Sequence, residues 1–203
     1  MKTYCGLEYS SKIKATIINT INEAKENIFS NYFFIVDDPL FFEEAFFKYT
    51  DTLFNIQIIN YQDLIKQLIN NYQLHKYEKL TKLDKILITK KLIESSDNIF
   101  NNNNKMDLIY ELINIFDLFY LEDITTSSLD NLSSLSKQKL ATILTLYNTL
   151  IKNIPQNKCY QYEELLLDKI DSSLQNNHYI FITEEIFHKR PYDLIKQISK
   201  HSD

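Results

Sequence analysis

The sequence predicts an α/β fold, a small parallel sheet interrupted by a large helical insertion. Three observations lead there. Compact aromatic and β-branched runs occur near both ends of the 203-residue chain and not in its middle. Near the N-terminus they alternate with helical patterns as strand–helix–strand–helix–strand, an order that favours parallel pairing through crossover helices. The middle reads as helices only. Residues 1–60 and 176–203 are therefore expected to form one αβ domain, with 61–175 as a helical subdomain inserted into it.

Each element has its own signal. Lys2 to Cys5 is a short strand candidate. Ile13, Ile17, Ile21, Ala24 and Ile28 recur at helical spacing and predict a helix over 12–29. Tyr32 to Val36 is a compact apolar run, read as a buried strand. It stops at Asp37-Asp38-Pro39, where a capping aspartate followed by proline at the first helical position starts a helix. That helix is expected over 40–50, and Phe54 to Ile59 is the third strand. Helices follow over 61–73, 80–97, 105–120, 136–152 and 161–174. Leu140, Ile143, Leu144, Tyr147 and Ile151 form one stripe; Ile109, Leu112, Ile113 and Phe116 form another. Asn101 to Lys105 and Ser127 to Ser134 read as polar loops. Tyr179 to Thr183 is a last buried strand expected to rejoin the first sheet. A final helix follows Pro191 and runs to about Lys200.

Composition narrows the chemistry. A chain this long buries roughly 70% of its unfolded surface without metal or disulfide support. Its single glycine, Gly6, excludes phosphate loops built on several glycines and leaves room for few turns at positive φ. The net charge of −5 is not that of a free-standing nucleic-acid binder. Arg190 is the only arginine, so bidentate guanine readout is nearly absent. Two cysteines, Cys5 and Cys159, suggest reduced thiols and a cytoplasmic location. No apolar run reaches the ~18 residues of a membrane span, and the N-terminus has no signal-peptide core.

Gly6-Leu7-Glu8-Tyr9-Ser10-Ser11-Lys12-Ile13 lies where a strand-to-helix phosphate loop belongs. Gly6 and Lys12 fit the G-x-x-x-x-G-K-[ST] pattern. Ser11 replaces its second glycine, and Ile13 replaces the hydroxyl that would hold magnesium. Glu184-Glu185 follows the last strand, where a metal-orienting carboxylate pair would lie. The set Gly6, Ser11, Lys12, Glu184 and Glu185 reads as a degenerate nucleotide site with no cofactor. Glu43-Glu44 and Glu163-Glu164 are helix neighbours about 100° apart and do not read as dyads. The four histidines, His75, His178, His188 and His201, have no metal-ligand spacing and read as surface residues. His188-Lys189-Arg190 is a local basic cluster. Lys82, Lys85, Lys90 and Lys91 read as a solvated helix face.

The order of segments resembles the N-terminal region of the AddB/RexB family, the B subunits of a bacterial helicase–nuclease that processes double-strand DNA breaks. The resemblance spans essentially the whole chain as a pattern of segments. Tyr32 to Pro39 matches a strand ending in a Val-Pro-Glu-Gln-like turn, and Phe41 to Phe46 matches the helix after it. Ile58 to Leu64 matches a strand running into a Phe-Ser-Arg-Leu-like segment. Leu83 to Ser95 and Met106 to Phe119 match the family's helical block. Phe181 to Phe187 and Arg190 to Asp193 match its late strand and the segment beyond. The degenerate phosphate loop resembles the RexB branch, and Glu184 stands where the family has aspartate.

The resemblance implies a RecA-like αβ domain of superfamily 1 helicase type, 61–175 being its inserted subdomain. It implies a non-motor scaffold that guides single-stranded DNA, joins in recognising the Chi sequence and contacts the partner helicase subunit. In related helicases, loops after the second and third strands touch DNA. The matching positions are Asp37, Asp38, Asn60 and Tyr61, with Tyr61 able to stack on a base and Asn60 to bond a base edge or phosphate. The family's nuclease motifs lie beyond any counterpart here, so no catalytic residue is expected. The alternative is an αβ protein-interaction module without nucleic-acid function, which the acidic charge favours.

Overall fold

A computed structural model describes residues 9–52, 54–95, 105–130, 133–183 and 187–202. The chain divides into two compact units. Met1–Gln73, Leu166–Phe187 and Tyr192–Asp203 form the first, and Leu74–Leu165 with His188–Pro191 form the second.

The first unit is built on a three-stranded sheet. Helix α1 spans Tyr9–Glu26, β1 Asn31–Val36, α2 Pro39–Phe46, β2 Ile56–Ile59 and α3 Tyr61–Asn71; β5, Asn177–Ile182, returns late in the sequence. The strand order is β2-β1-β5 and both pairings are parallel. The expected strand at 2–5 lies outside the described residues.

Period-two alternation sorts β1 to two faces. Tyr32, Phe34 and Val36 join Ile17, Ile21 and Ala24 of α1 and Phe42 and Phe46 of α2 in one core. Each fully buried side chain of this kind stabilises by about 1.5–3 kcal/mol. Phe33 lies opposite Gln57 on the other face, where Gln67 of α3 donates to the Gln57 side chain at 3.0 Å. Helix α3 therefore covers that side, burying Leu64, Ile65, Leu68 and Ile69. Cross-strand rings stack between β1 and β5, Tyr32 on His178 at 4.5 Å and Phe33 on Tyr179 at 5.0 Å.

The second unit is helical. Helices α4 (Lys82–Ser95), α5 (Lys105–Leu121) and α6 (Ser134–Lys152) pack around Ile93, Ile109, Leu112, Ile113, Phe116, Leu144, Tyr147 and Leu150. The two stripes read from the sequence fall on this core, with Leu140, Ile143 and Ile151 at its margin. Thr81 and Asp84 start α4 as a reciprocal cap: the Thr81 N–H donates to Asp84 at 2.8 Å and the Asp84 N–H to Thr81 Oγ1 at 3.1 Å.

Several expectations need correction. Residues 61–73 belong with the sheet, because α3 buries its apolar face on β1. The middle also contains a short parallel ladder, β3 (Glu78–Lys79) with β4 (Lys158–Cys159), too brief for a periodicity signal. Helix α1 ends at Glu26, so Ile28 lies past its end and is exposed. The cause is Asn55, whose side-chain NH2 donates to the carbonyls of Ala24, Asn27 and Ser30 and closes the turn there. The expected helix over 161–174 is α7, Tyr162–Leu167, followed by a 3-10 turn at Ser172–Leu174. The last strand begins two residues early, at Asn177, and is half-buried along its length. The final helix, α8, runs Lys189–His201 and buries Leu194, Ile195 and Ile198.

Positive φ does occur despite the scarcity of glycine. Gln73, Asp123 and Asn176 take φ of 54°, 49° and 71°. Asp123 ends α5 with the Ile124 N–H on the Phe119 carbonyl at 2.9 Å, a Schellman closure made without glycine.

Candidate functional site

In a parallel sheet the strand ends and helix starts collect at one edge. Here β1 ends at Val36 and β2 at Ile59, so Asp37, Asp38, Asn60 and Tyr61 lie along the same edge with Thr183 of the β5 end. The positive ends of the α2 and α3 dipoles also open there.

Local chemistry fixes each side chain. Asp38 is extended (φ −122°, ψ 95°), and its carboxylate accepts the Phe41 N–H at 3.1 Å, with Pro39 opening the helix. Asn60 does the same for α3, its Oδ1 accepting the Asp63 N–H at 2.9 Å. Asp37 accepts from the Thr183 hydroxyl at 2.6 Å, tying the β5 end to the β1 end. Tyr61 is half-buried, its ring tilted against Phe187 at 5.5 Å. The four candidates thus share an edge, but Asp38 and Asn60 use their oxygens as helix caps, and the Tyr61 ring is packed.

Ser11 and Lys12 lie in the first turn of α1, and Ile13 packs against the sheet core, so that last position serves packing. Gly6, Glu184 and Glu185 lie outside the described residues. Among the described residues, no group of three His, Cys, Asp or Glu is placed to hold a metal. His178 is a half-buried stacking partner of Tyr32 and not a surface residue, because β5 pairs directly with β1.

Among the described residues, a further polar cluster lies in the helical unit, and the sequence pattern does not announce it. Lys85, expected among solvated lysines, is only 7% exposed. Its ammonium donates to Asp117 Oδ1 at 2.5 Å and lies 4.2 Å from the Tyr160 ring centre. The Tyr160 hydroxyl donates to the same oxygen. Tyr160 stacks on Tyr120 at 4.8 Å, and the Arg190 guanidinium lies over the Tyr120 ring, 4.3 Å from its centre. Arg190 also donates to the Tyr120 carbonyl at 2.6 Å and to Asp123 at 3.0 Å. Lys189 bonds Asp123 and His188 bonds Glu122. The basic cluster at 188–190 is thus consumed by local acids. The available signal was weak: a tyrosine-rich chain whose one arginine needs an aromatic or acidic partner.

Electrostatics follow this packing. Burial drives the Tyr160 and Tyr120 hydroxyls far above the usual phenol range, and hydrogen bonding to the Asp117 carboxylate raises Tyr160 further. Burial pushes Tyr147 up to about 12 and the Cys159 thiol up to about 11, so the thiol is no nucleophile near neutrality. The Lys189 hydrogen bond, then the Arg190 charge, hold Asp123 below the ordinary carboxylate value. This constellation sets each cation against a carboxylate or a tyrosine ring.

No family model, no curated protein and no solved structure matches the chain. The class that fold and site define is an α/β chain with a small parallel sheet and a helical unit between its strands. No helix among the described residues is long and apolar enough to cross a membrane.

Proposed function

We propose that the chain is a RecA-like, superfamily 1 helicase-type scaffold without motor or nuclease activity. It acts in the cytoplasm within a break-processing helicase–nuclease of the AddB/RexB kind, contacting single-stranded DNA and the partner helicase subunit. The observation that carries this reading is topological. The chain leaves the sheet after β2, builds a helical unit, and returns to place β5 parallel beside β1. That interruption agrees with the segment pattern of the family, and the strand-end edge of Asp37, Asp38, Asn60 and Tyr61 is where DNA would pass.

The second reading, a protein-interaction module without nucleic-acid function, is favoured by a different observation. Asp38 and Asn60 are occupied as caps, Tyr61 is packed, and the edge carries carboxylates that repel phosphate. Titration of a labelled single-stranded oligonucleotide at two salt concentrations separates the two. The scaffold reading expects weak binding that falls as salt rises, through counterion release. It also expects a loss of up to ~1–3 kcal/mol in Tyr61→Ala if the ring stacks on a base. The interaction-module reading expects no binding, with Tyr61→Ala lowering the melting temperature instead. Asn60→Ala should cost about 1 kcal/mol of cap stability in either case, and only the scaffold reading expects it to weaken DNA binding as well.

A further inference from the structure

Helix α2 is apolar on both sides. Phe42 and Phe46 face the sheet core, while Leu40, Phe41 and Phe47 face outward at 76%, 72% and 47% exposure. A helix at the surface of a folded unit normally turns polar residues outward, whereas here Glu44 shares the outer side with large apolar residues. Leu40 and Phe41 in the first turn and Phe47 at the C-cap form an exposed apolar patch of the kind that marks interaction sites.

The charges around the patch are of one prevailing sign. Asp38 and Glu43 border it and Glu44 lies on the same face, against the cations Lys48 and Lys14, the latter 5.9 Å from the Tyr49 ring centre. Glu43 and Glu44 make no ion pair among the described residues. From this we infer that the outer face of α2 docks a partner helix with an apolar stripe bordered by lysine or arginine. Apolar anchors would seat on Leu40, Phe41 and Phe47, and the flanking cations would meet the carboxylates. This is the helix-on-apolar-surface mode of recognition, with charge setting which partner is accepted. A second copy of this chain is the poorer occupant, since it would bring the same carboxylates into the contact. The inference uses no DNA contact and stands apart from the DNA reading above.

The test uses the full chain and two designed 18-residue helical peptides with identical leucine stripes, one bordered by lysine and the other by glutamate. Fluorescence anisotropy should show the lysine peptide binding at least about tenfold more tightly, a difference of ~1.4 kcal/mol. Leu40→Gln with Phe41→Gln should weaken that binding about tenfold, the loss expected for truncated anchors. The melting temperature should stay unchanged, because both residues are exposed. Glu43→Lys with Glu44→Lys should reduce or reverse the preference between peptides. Leu135→Gln, an exposed leucine in the helical unit, should change nothing. The inference is overturned if neither peptide binds, if both bind equally, or if the double glutamine variant binds as before. Sedimentation showing a concentration-dependent dimer that the same variant abolishes would also overturn it, in favour of self-association.

Discussion

The two units hold themselves together differently. In the sheet unit, the core around β1 is made of aromatic and aliphatic side chains, and Asp38 and Asn60 cap helices at the strand ends. The helical unit puts a lysine in its interior and stacks it, through Tyr160 and Tyr120, against an arginine. The sheet unit also carries most of the chain's excess of carboxylates, whereas cations and carboxylates roughly balance in the helical unit. Strand register already specifies the sheet, because a one-residue slip would turn its apolar set outward. Three packed helices have no such ruler. A buried ion set between one ring and one carboxylate gives them a fixed position, at the cost of burying a charge.

That contrast can be broken most sharply at Asp117. Asp117→Asn leaves Lys85 buried without a counter-ion and should cost about 3–5 kcal/mol, read as a lower denaturation midpoint. Lys85→Met keeps the volume and leaves only the half-exposed Asp117 behind, so it should cost far less. Equal losses in the two variants would mean that packing, not the charge, is what the pillar supplies.

A smaller change sharpens the sheet side. Gln73 closes α3 in the left-handed region, where an L-residue other than glycine is disfavoured by roughly 1–2 kcal/mol. Gln73→Gly should therefore stabilise, by less than that figure because glycine gains entropy in the unfolded chain. A drop in melting temperature would show that the Gln73 side chain contributes contacts that outweigh its backbone.

The smallest effect is in acid. The Lys158 hydrogen bond, then the Thr81 cap, hold Asp84 down to about 2. Asp84 therefore contributes stability that is complete above the unfolded carboxylate value of about 3.9 and is lost as pH falls toward 2. Asp84→Asn should flatten this part of the stability curve between about pH 4 and 2, while lowering stability somewhat at neutrality. An unchanged acid limb would remove Asp84 from the account.

What the sequence disclosed follows the same division. The run Tyr32 to Val36 is legible as a strand because burial on both faces leaves a continuous apolar signature, and Tyr179 to Thr183 is legible from its aromatic and β-branched content although β5 is only half-buried. Asp38 and Asn60 sat at legible helix starts. Helix α3 packs on β1 and not in the insertion the sequence predicts, because an amphipathic stripe says that a face is buried and not against what. Lys85 was invisible for a related reason: its neighbours Lys82, Lys90 and Lys91 are exposed, and only the fold brings Asp117 and Tyr160 to it. The reach of Asn55 back to Ala24 and Ser30, which ends α1 early, likewise has no local signal.

The pairing of Asn31 with Asn177 sets an order of events as well as a shape. During synthesis the central strand is complete long before its second neighbour exists. At ~5–20 residues per second the ribosome needs roughly 7–30 s to supply β5 after β1. For that interval β1 has one open edge and an aromatic row that will later stack on β5, the kind of exposure on which chains aggregate. The helical unit, richer in local contacts, is made and can fold in the meantime. Pulse-labelled hydrogen exchange during refolding should accordingly find α5 and α6 amides protected before those joining β1 to β5. Simultaneous protection would mean that the long-range strand pair nucleates the fold instead of completing it.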